Sequence, residues 1–341
     1  MLIGSLFSGA GGLDMAVQQA FGGQVVWHSE IEPAGCAVLA SNYPKATNLG
    51  DVSQINWESV LPVDILCGGF PCQDVSTAAS WRRQGMRHGN RSGLWSRMAE
   101  AISVLRPKAV VIENVRGLLS ATAHRNVESA VTALGDSQRI ILRAAGAVLG
   151  DLADLGYDAQ WATTSADSVG APHGRQRVFV LAHLRGETPP QVKPFDCPQL
   201  GETLMPLLPT PSASDVTGGS CDPAIRVEQG HHLQLIDVVR MYGTPAWDTY
   251  LPAIERWEKL TRPAPPAAVT SKAGNPNLNA DFAEWMMGWP KNWTHVTDQI
   301  ALFGEPENLL GRSERLKLFG NGVVPQQAAA TLSALAEVAA A

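Results

Sequence analysis

Apolar residues in the first half of the chain alternate between short unbroken runs and longer stretches at helical spacing. The runs predict strands at Leu2 to Phe7, Gln24 to His28, Asp64 to Leu66, Ala109 to Ile112 and Arg177 to Ala182. Between them the spacing predicts helices at Leu13 to Phe21, Pro33 to Asn42, Ser96 to Leu105 and Ala144 to Leu155. Strands alternating with helices imply an α/β fold built on a doubly wound, mostly parallel sheet. Beyond Leu184 the rhythm is lost: Thr188-Pro189-Pro190, Pro206 to Pro211 and Thr261 to Pro266 interrupt any long element. It returns in Val323 to Ala340, which reads as a helix entered through Pro325. The chain has 341 residues, more than one core usually serves. The expected division is 1–184 plus 305–341 as one domain and 185–304 as a smaller, irregular one.

Open α/β sheets keep their chemistry at the carboxyl ends of the strands, and polar residues stand at several of these ends. Gly69-Phe70-Pro71-Cys72-Gln73 follows the run Val63 to Leu66. Its glycine and proline would hold a nucleophilic thiol in one place, although a lone cysteine is also often a small buried hydrophobe. Glu113-Asn114-Val115 follows Val110 to Ile112. A buried carboxylate there can move a proton, or it can serve as a cap or a salt-bridge partner. Arg175 and Arg177 enter a further strand and, two residues apart in extended chain, share one face suited to a phosphate or a polar base edge.

Phe7-Ser8-Gly9-Ala10-Gly11-Gly12-Leu13 lies between the first strand and the first helix. It departs from the dinucleotide fingerprint, because position 14 is Asp14, an anion expected to repel a pyrophosphate. That disfavours a nicotinamide oxidoreductase. A nucleoside ligand without phosphate fits better, with Glu30 accepting from ribose hydroxyls and Asp51 from an adenine amino group. S-adenosyl-L-methionine has this shape, and its sulfonium tolerates nearby acids.

Composition narrows the picture further. Hydrophobic residues make up 45% and charged residues 17%, and no apolar stretch is long enough to cross a bilayer. The start lacks a basic segment, which argues against a signal peptide. A cytoplasmic protein is expected. Five cysteines without a Cys-x-x-Cys pair argue against a disulfide framework and against a structural metal. The net charge of -6 argues against a nucleic acid partner, but the distribution does not. Trp81 to Arg97 holds Arg82, Arg83, Arg87, Arg91 and Arg97, with His88 and no acid. Such a loop suits a polyanion beside the reaction centre, or else is a solvated surface.

Taken in order, these segments closely resemble the DNA cytosine-5 methyltransferase family. The resemblance rests on Phe7 to Gly12, Glu30, Gly50-Asp51, Pro71-Cys72-Gln73, Glu113-Asn114-Val115, Arg175-x-Arg177 and Gly320-Asn321-x-Val323. It implies a class I, Rossmann-like fold that uses S-adenosyl-L-methionine and releases S-adenosyl-L-homocysteine, and no metal. It implies that Cys72 adds to C6 of a cytosine turned out of duplex DNA, that Glu113 engages N3 and the exocyclic amine, and that Arg175 and Arg177 complete the catalytic set. Phe7, Gly9, Ala10, Gly11, Gly12, Leu13, Glu30, Ile31, Asp51, Val52, Gly69, Pro71, Leu94, Asn321 and Val323 would hold the cofactor. Gln73, Ser76, Arg82, Arg83, Arg87 and Arg91 would meet double-stranded DNA, and 185–304 would be the target recognition domain.

A bacterial or phage-encoded monomer, with no membrane partner, is expected. Met287 to Pro290 with Trp293 resembles the segment that packs against the recognition domain. Three positions depart from the family's habit: His173 where glutamine is common, Ile31 where an aromatic often stacks, and Gly322 where serine is frequent. The segment before Trp285 also lacks the usual arginine. A tRNA cytosine methyltransferase is disfavoured because its Cys-Phe-Thr signature is missing, and a catalytically silent regulator because Cys72, Glu113 and Arg175 are all present.

Overall fold

A computed structural model of the chain describes residues 1–70, 93–120, 122–126, 139–193, 205–216, 222–270, 274, 276–297 and 310–340. The strands are β1 (Leu2–Leu6), β2 (Gln24–Ser29), β3 (Thr47–Asn48), β4 (Ile65–Gly68), β5 (Ala109–Val115), β6 (Thr122–Asn126), β7 (Arg139–Arg143), β8 (Tyr157–Ser165), β9 (Gln176–Leu184), β10 (Ala268–Thr270) and β11 (Pro276–Leu278). The helices that bear on the site are α1 (Gly12–Phe21), α2 (Pro33–Asn42), α3 (Leu94–Leu105) and α4 (Ala144–Asp154).

Among the described residues the central sheet has seven strands, ordered β3-β2-β1-β4-β5-β9-β8. β9 runs antiparallel to both its neighbours, while the other pairings are parallel. The doubly wound sheet expected from the alternation is therefore present.

The period-two rule decides which helices cover which face. Ile3, Ile65, Cys67, Ala109, Val111, Phe179 and Leu181 point to one side and bury Ala16, Val17 and Ala20 of α1. The final helix, α11 (Pro325–Ala340), lies on that same side through Ala328, Ala329 and Leu332. Leu6, Leu66, Val110, Ile112, Val180 and Ala182 point the other way, onto Trp95, Met98 and Ile102 of α3 and Ala147, Val148 and Leu152 of α4.

Strands β3, β6, β7, β8, β10 and β11 are not among the expected runs, and two of them illustrate why. β8 is an edge strand of mixed polarity and β6, which pairs β7 in a separate two-stranded sheet, is mostly polar, so neither carries a continuous apolar run. β5 extends through Val115, which places Glu113 inside the strand rather than beyond it.

The middle region is more ordered than its prolines suggest. It contains α5 (Pro223–Glu228), α6 (Leu235–Val238), α7 (Pro245–Asp248), α8 (Leu251–Leu260) and α9 (Ala280–Met286), followed by α10 (Arg312–Asn321). Prolines stand in the first turn of α5, α7 and α8, where a missing N–H costs nothing. Leu235, Val238, Trp247, Trp257, Phe282, Trp285, Trp289 and Phe319 form one core that also takes in Ala10, Met15, Ala34 and Val38. The middle region is thus fused to the α1 and α2 side of the sheet.

The chain order reverses between β1 and β4. Just beyond their carboxyl ends lies the crevice such sheets use for ligands. Because β9 is antiparallel, its beginning, and Arg175 and Arg177 with it, lies at that same edge.

Candidate active site

Phe7 and Gly9 leave β1 with positive φ of 54° and 56°, and Gly11, at 83°, is the N-cap of α1. A phenylalanine held there costs about 1–3 kcal/mol, a strain typical of ligand-binding turns. Phe7 keeps the turn in register by donating its N–H to the Ser29 carbonyl at 2.9 Å. A Cβ on Gly9 would meet nothing within 4 Å, whereas one on Gly12 would lie 2.8 Å from the Val323 carbonyl. The loop is therefore open above Gly9 and closed behind Gly12. Ala10 and Leu13, also in the expected cofactor set, are buried.

Glu30 ties the end of β2 to this loop. Its Oε2 accepts from Gly9 N–H at 2.6 Å, and its Oε1 accepts from Ile31 and Glu32 N–H at 2.8 Å each. A carboxylate has about four acceptor directions, so Oε2 keeps one for a ligand. Asn48, which the sequence reading missed, staples two of the loops together. Its Oδ1 accepts from Glu30 and Gly50 N–H, and its Nδ2 donates to the Glu30 carbonyl and to Cys36 Sγ. Ser29 Oγ adds a bond to the Gly50 carbonyl at 2.7 Å. Beside it Asp51 is exposed, its carboxyl held below the usual range by hydrogen bonds from Ser53, while Val52 is buried. Ile31 is 69% exposed at the rim.

Next to this crevice, three residues line up across the sheet on the face covered by α1 and α11. Cys67 pairs Val111, so Gly69 comes beside Glu113, and a Cβ at Gly69 would stand 2.9 Å from Glu113 Oε2. Val115 pairs Arg177, and Arg177 Nε lies 2.7 Å from Glu113 Oε1. Burial raises the Glu113 pKa, opposed by the charges of Arg177 and then Arg175. The result is a carboxyl group that keeps its proton more readily than an exposed glutamate. Asn114 holds the approach to Cys72 by donating Nδ2 to the Phe70 carbonyl at 2.8 Å, and Phe70 packs on Trp95 with ring centroids 5.2 Å apart. Leu94 opens α3, half-buried, next to that tryptophan. Pro71, Cys72, Gln73, Ser76, Arg82, Arg83, Arg87 and Arg91 lie outside the described residues.

Arg175 does something different from Arg177. It is buried, and its guanidinium donates to the carbonyls of Gly320, Gly322 and Pro211 at 2.8, 2.7 and 3.3 Å. Asn321 is exposed between those first two carbonyls, and Val323, beyond them, is buried against Gly12. Trp289 Nε1 donates to the Val323 carbonyl at 2.8 Å and Trp293 Nε1 to the Ala10 carbonyl at 2.7 Å. The segment expected to face the recognition domain therefore also braces the glycine loop.

Asp14 requires a correction. Its carboxyl is fully buried, 3.6 Å from His28 Nε2, and so does not face the crevice. Burial pushes its pKa up to about 7 and that of His28 down to about 4. A carboxyl turned into the core, with its pKa raised toward neutrality, does not meet a ligand in the crevice, so the expected repulsion of a pyrophosphate is not present.

A family model for C-5 cytosine-specific DNA methylase matches residues 1–222. The chain belongs to this family. Among curated relatives, the type II methyltransferase M.NgoBV of Neisseria gonorrhoeae is 32% identical over 213 residues, covering 61% of this chain and 47% of the relative. M2.BsuMI of Bacillus subtilis (strain 168) is 26% identical over 328 residues, covering 95% and 72%. The chain spans about half the length of M.NgoBV and of M.NlaIV of Neisseria lactamica, 47% of each. Among solved structures, the S. pombe Dnmt2 methyltransferase superposes with a TM-score of 0.56 at 14% identity, covering 99% of this chain and 98% of that one. A putative DNA modification methyltransferase from an E. coli prophage gives 0.52 at 18%, covering 98% of each. The fold is that of class I S-adenosylmethionine-dependent methyltransferases.

Within this methylase family, two of the chain's departures have physical reasons. His173 is buried, with Nε2 3.1 Å from the Met286 carbonyl and Nδ1 accepting from Arg175 N–H at 3.4 Å. Burial and the neighbouring Arg175 push its pKa down to about 3, which fixes it as a neutral donor and acceptor, the two capacities a glutamine amide also has. Gly322 is glycine because a Cβ there would sit 2.7 Å from the Trp289 ring. In the segment before Trp285, buried Glu284 accepts from Asn292 N–H and from Thr294 N–H and Oγ1, at 2.7–2.9 Å, and Arg315 of α10 reaches Thr294 Oγ1 at 2.8 Å. An arginine from a later helix thus enters the network beside the position where the family's own is missing.

Two outcomes follow. Gly322→Ser should destabilise the protein by about 1–3 kcal/mol through overpacking, and less in a Trp289→Phe background, as a double-mutant cycle in urea would measure. Asp14 retains its proton in the folded state between about pH 4 and 7, where the unfolded chain has lost it, so the folded protein loses stability as pH rises through that window. Asp14→Asn should therefore raise the thermal midpoint more at pH 8 than at pH 5; an equal change at both would contradict this assignment.

Proposed function

We propose that this chain methylates C5 of cytosine in double-stranded DNA, with S-adenosyl-L-methionine as the methyl donor. The observation that carries this reading is the row of Gly69, Glu113 and Arg177 beside the open glycine loop. It puts a carboxyl group, its pKa raised by burial and its oxygen paired with Arg177, next to the segment that leads into Cys72.

The residues around the loop fit a nucleoside cofactor. The space above Gly9 would take its body, the remaining acceptor of Glu30 a ribose hydroxyl, and exposed Asp51 the adenine amino group, with Ile31 and Val52 as apolar walls. When bound, the cofactor supplies an electrophilic methyl group on a sulfonium. C5 of cytosine is a weak nucleophile, so the protein must first push electrons into the ring. Cys72, as thiolate, adds to C6, and Glu113 gives or shares a proton at N3 so that the charge developing in the ring is neutralised. Arg177, paired with Glu113, keeps the carboxyl oriented and the pocket electrically balanced. After C5 has taken the methyl group, its proton passes to solvent, the electron pair left behind expels Cys72 as thiolate, and N3 returns its proton to Glu113, which restores the aromatic ring.

A base inside a duplex cannot reach these groups, so the target cytosine is turned out of the stack at a cost of a few kcal/mol. Gln73, Ser76, Arg82, Arg83, Arg87 and Arg91, together with the middle region, are the proposed source of compensating DNA contacts. The protein works as a monomer in the cytoplasm of a bacterium or of a phage-infected cell.

Incubation with duplex DNA carrying 5-fluorocytosine and S-adenosyl-L-methionine tests the chemistry, because fluorine at C5 cannot leave as a proton. A covalent protein–DNA adduct is expected from the unaltered chain and none from Cys72→Ser. Glu113→Gln should lower turnover by about 10²–10⁴-fold. Failure of the unaltered, folded chain to form the adduct would refute the mechanism.

A further inference from the structure

We propose that Arg175 is a positioning residue, a buried cationic tie that fixes the end of α10 and the Pro211 turn against the catalytic body, and through them the cofactor loop. The inference builds on the proposed function but can be tested apart from it. It also differs from the role the resemblance implies, in which Arg175 supports the target base.

Arg175 is 4% exposed, and among the described residues no carboxylate forms an ion pair with it. Its Nη1 and Nη2 donate to backbone carbonyls, its charge also acts on Glu113, and its Nε has no hydrogen-bond partner among the described residues. Two of these carbonyls, on Gly320 and Gly322, lie at the carboxyl end of α10, where the last carbonyls have no partner within the helix and the dipole favours a cation. The third, on Pro211, belongs to a turn within the middle region, ahead of its helices. One planar guanidinium therefore joins three chain segments far apart in sequence, a task its fixed fork of donors suits and a lysine's point charge does not.

The packing around those carbonyls leaves little freedom. A Cβ on Gly320 would collide with the backbone of Ala213, so the end of α10 and the Pro211 turn are pressed together under the arginine. The Arg175 backbone is held as well: its carbonyl accepts from Gln327 Nε2 at 2.9 Å and from Ala166 N–H at 3.0 Å.

Each tied segment leads to a functional surface. From Gly320 and Gly322 the chain passes through Asn321 to Val323, whose backbone closes the glycine loop behind Gly12. From Pro211 it passes to Ser212, whose N–H and Oγ both donate to buried Asp215 Oδ2, while Asp215 Oδ1 accepts from Ile236 N–H at the start of α6. Loosening Arg175 should therefore slacken both the cofactor loop and the seating of the middle region without removing a group that touches the reacting base.

The test compares Arg175→Lys and Arg175→Met with the unaltered chain. Affinity for S-adenosyl-L-methionine is followed by tryptophan fluorescence in the absence of DNA, and kcat and KM by methyl transfer to plasmid DNA. Arg175→Met should weaken cofactor binding by about tenfold or more and Arg175→Lys by less, with KM rising for both cofactor and DNA and kcat changing by less than about threefold. Arg177→Lys, by contrast, should lower kcat at near-normal cofactor affinity.

Unchanged cofactor affinity with a large fall in kcat would overturn the proposal and return Arg175 to the substrate. Failure of both Arg175 variants to fold would overturn it too, since the tie would then be a requirement of the whole fold. If the unaltered chain binds cofactor but transfers no methyl group, the proposed function fails, and the fluorescence comparison still decides the role of Arg175.

Discussion

The pairing of Glu113 with Arg177 across β5 and β9 is the interaction on which the site depends. A carboxylate beneath α1 and α11 would be costly without a nearby cation, and a cation there equally so without the carboxylate. Both are affordable because β9 runs antiparallel to its neighbours: its first residues arrive at the edge where β5 ends. Had β9 followed the direction of the others, Arg177 would stand at the opposite edge of the sheet and Glu113 would be buried alone.

Everything else at this edge is arranged around that pair. Gly69 has no side chain because Glu113 fills the space, and Asn114 anchors the same turn through the Phe70 carbonyl. On the other side of the topological switch, Glu30, Asn48 and Ser29 fasten the glycine loop to the Gly50-Asp51 turn by direct hydrogen bonds. Trp289 and Trp293 carry bracing bonds from the middle region to Val323 and Ala10, so the cofactor side is held from beneath by elements remote in sequence.

Much of this was legible in the sequence. The β1, β2, β4 and β5 runs, α1 and α2, and the polar residues at strand ends follow from apolar periodicity and from glycines at positions of close approach. The divergence of Arg175 from Arg177 was not legible: an Arg-x-Arg spacing says that two side chains share a face, but not that Gly320 and Gly322 will supply carbonyls to only one of them. Asp14 misled because its place in a glycine motif says nothing of the side the helix turns inward. Asn48 gave no signal, since a single asparagine in a two-residue strand has no pattern. β8 stayed hidden because an edge strand buries too little to need an apolar run, and the order of the middle region because its helices are short and begin on prolines that resemble breaks.

The most direct measurement is bisulfite sequencing of a plasmid recovered from cells that express the chain. Cytosines protected from conversion at one defined sequence are expected, and that protection is lost with Cys72→Ser. A folded, expressed chain that leaves every plasmid cytosine as convertible as in the empty-vector control would contradict the proposed methylation.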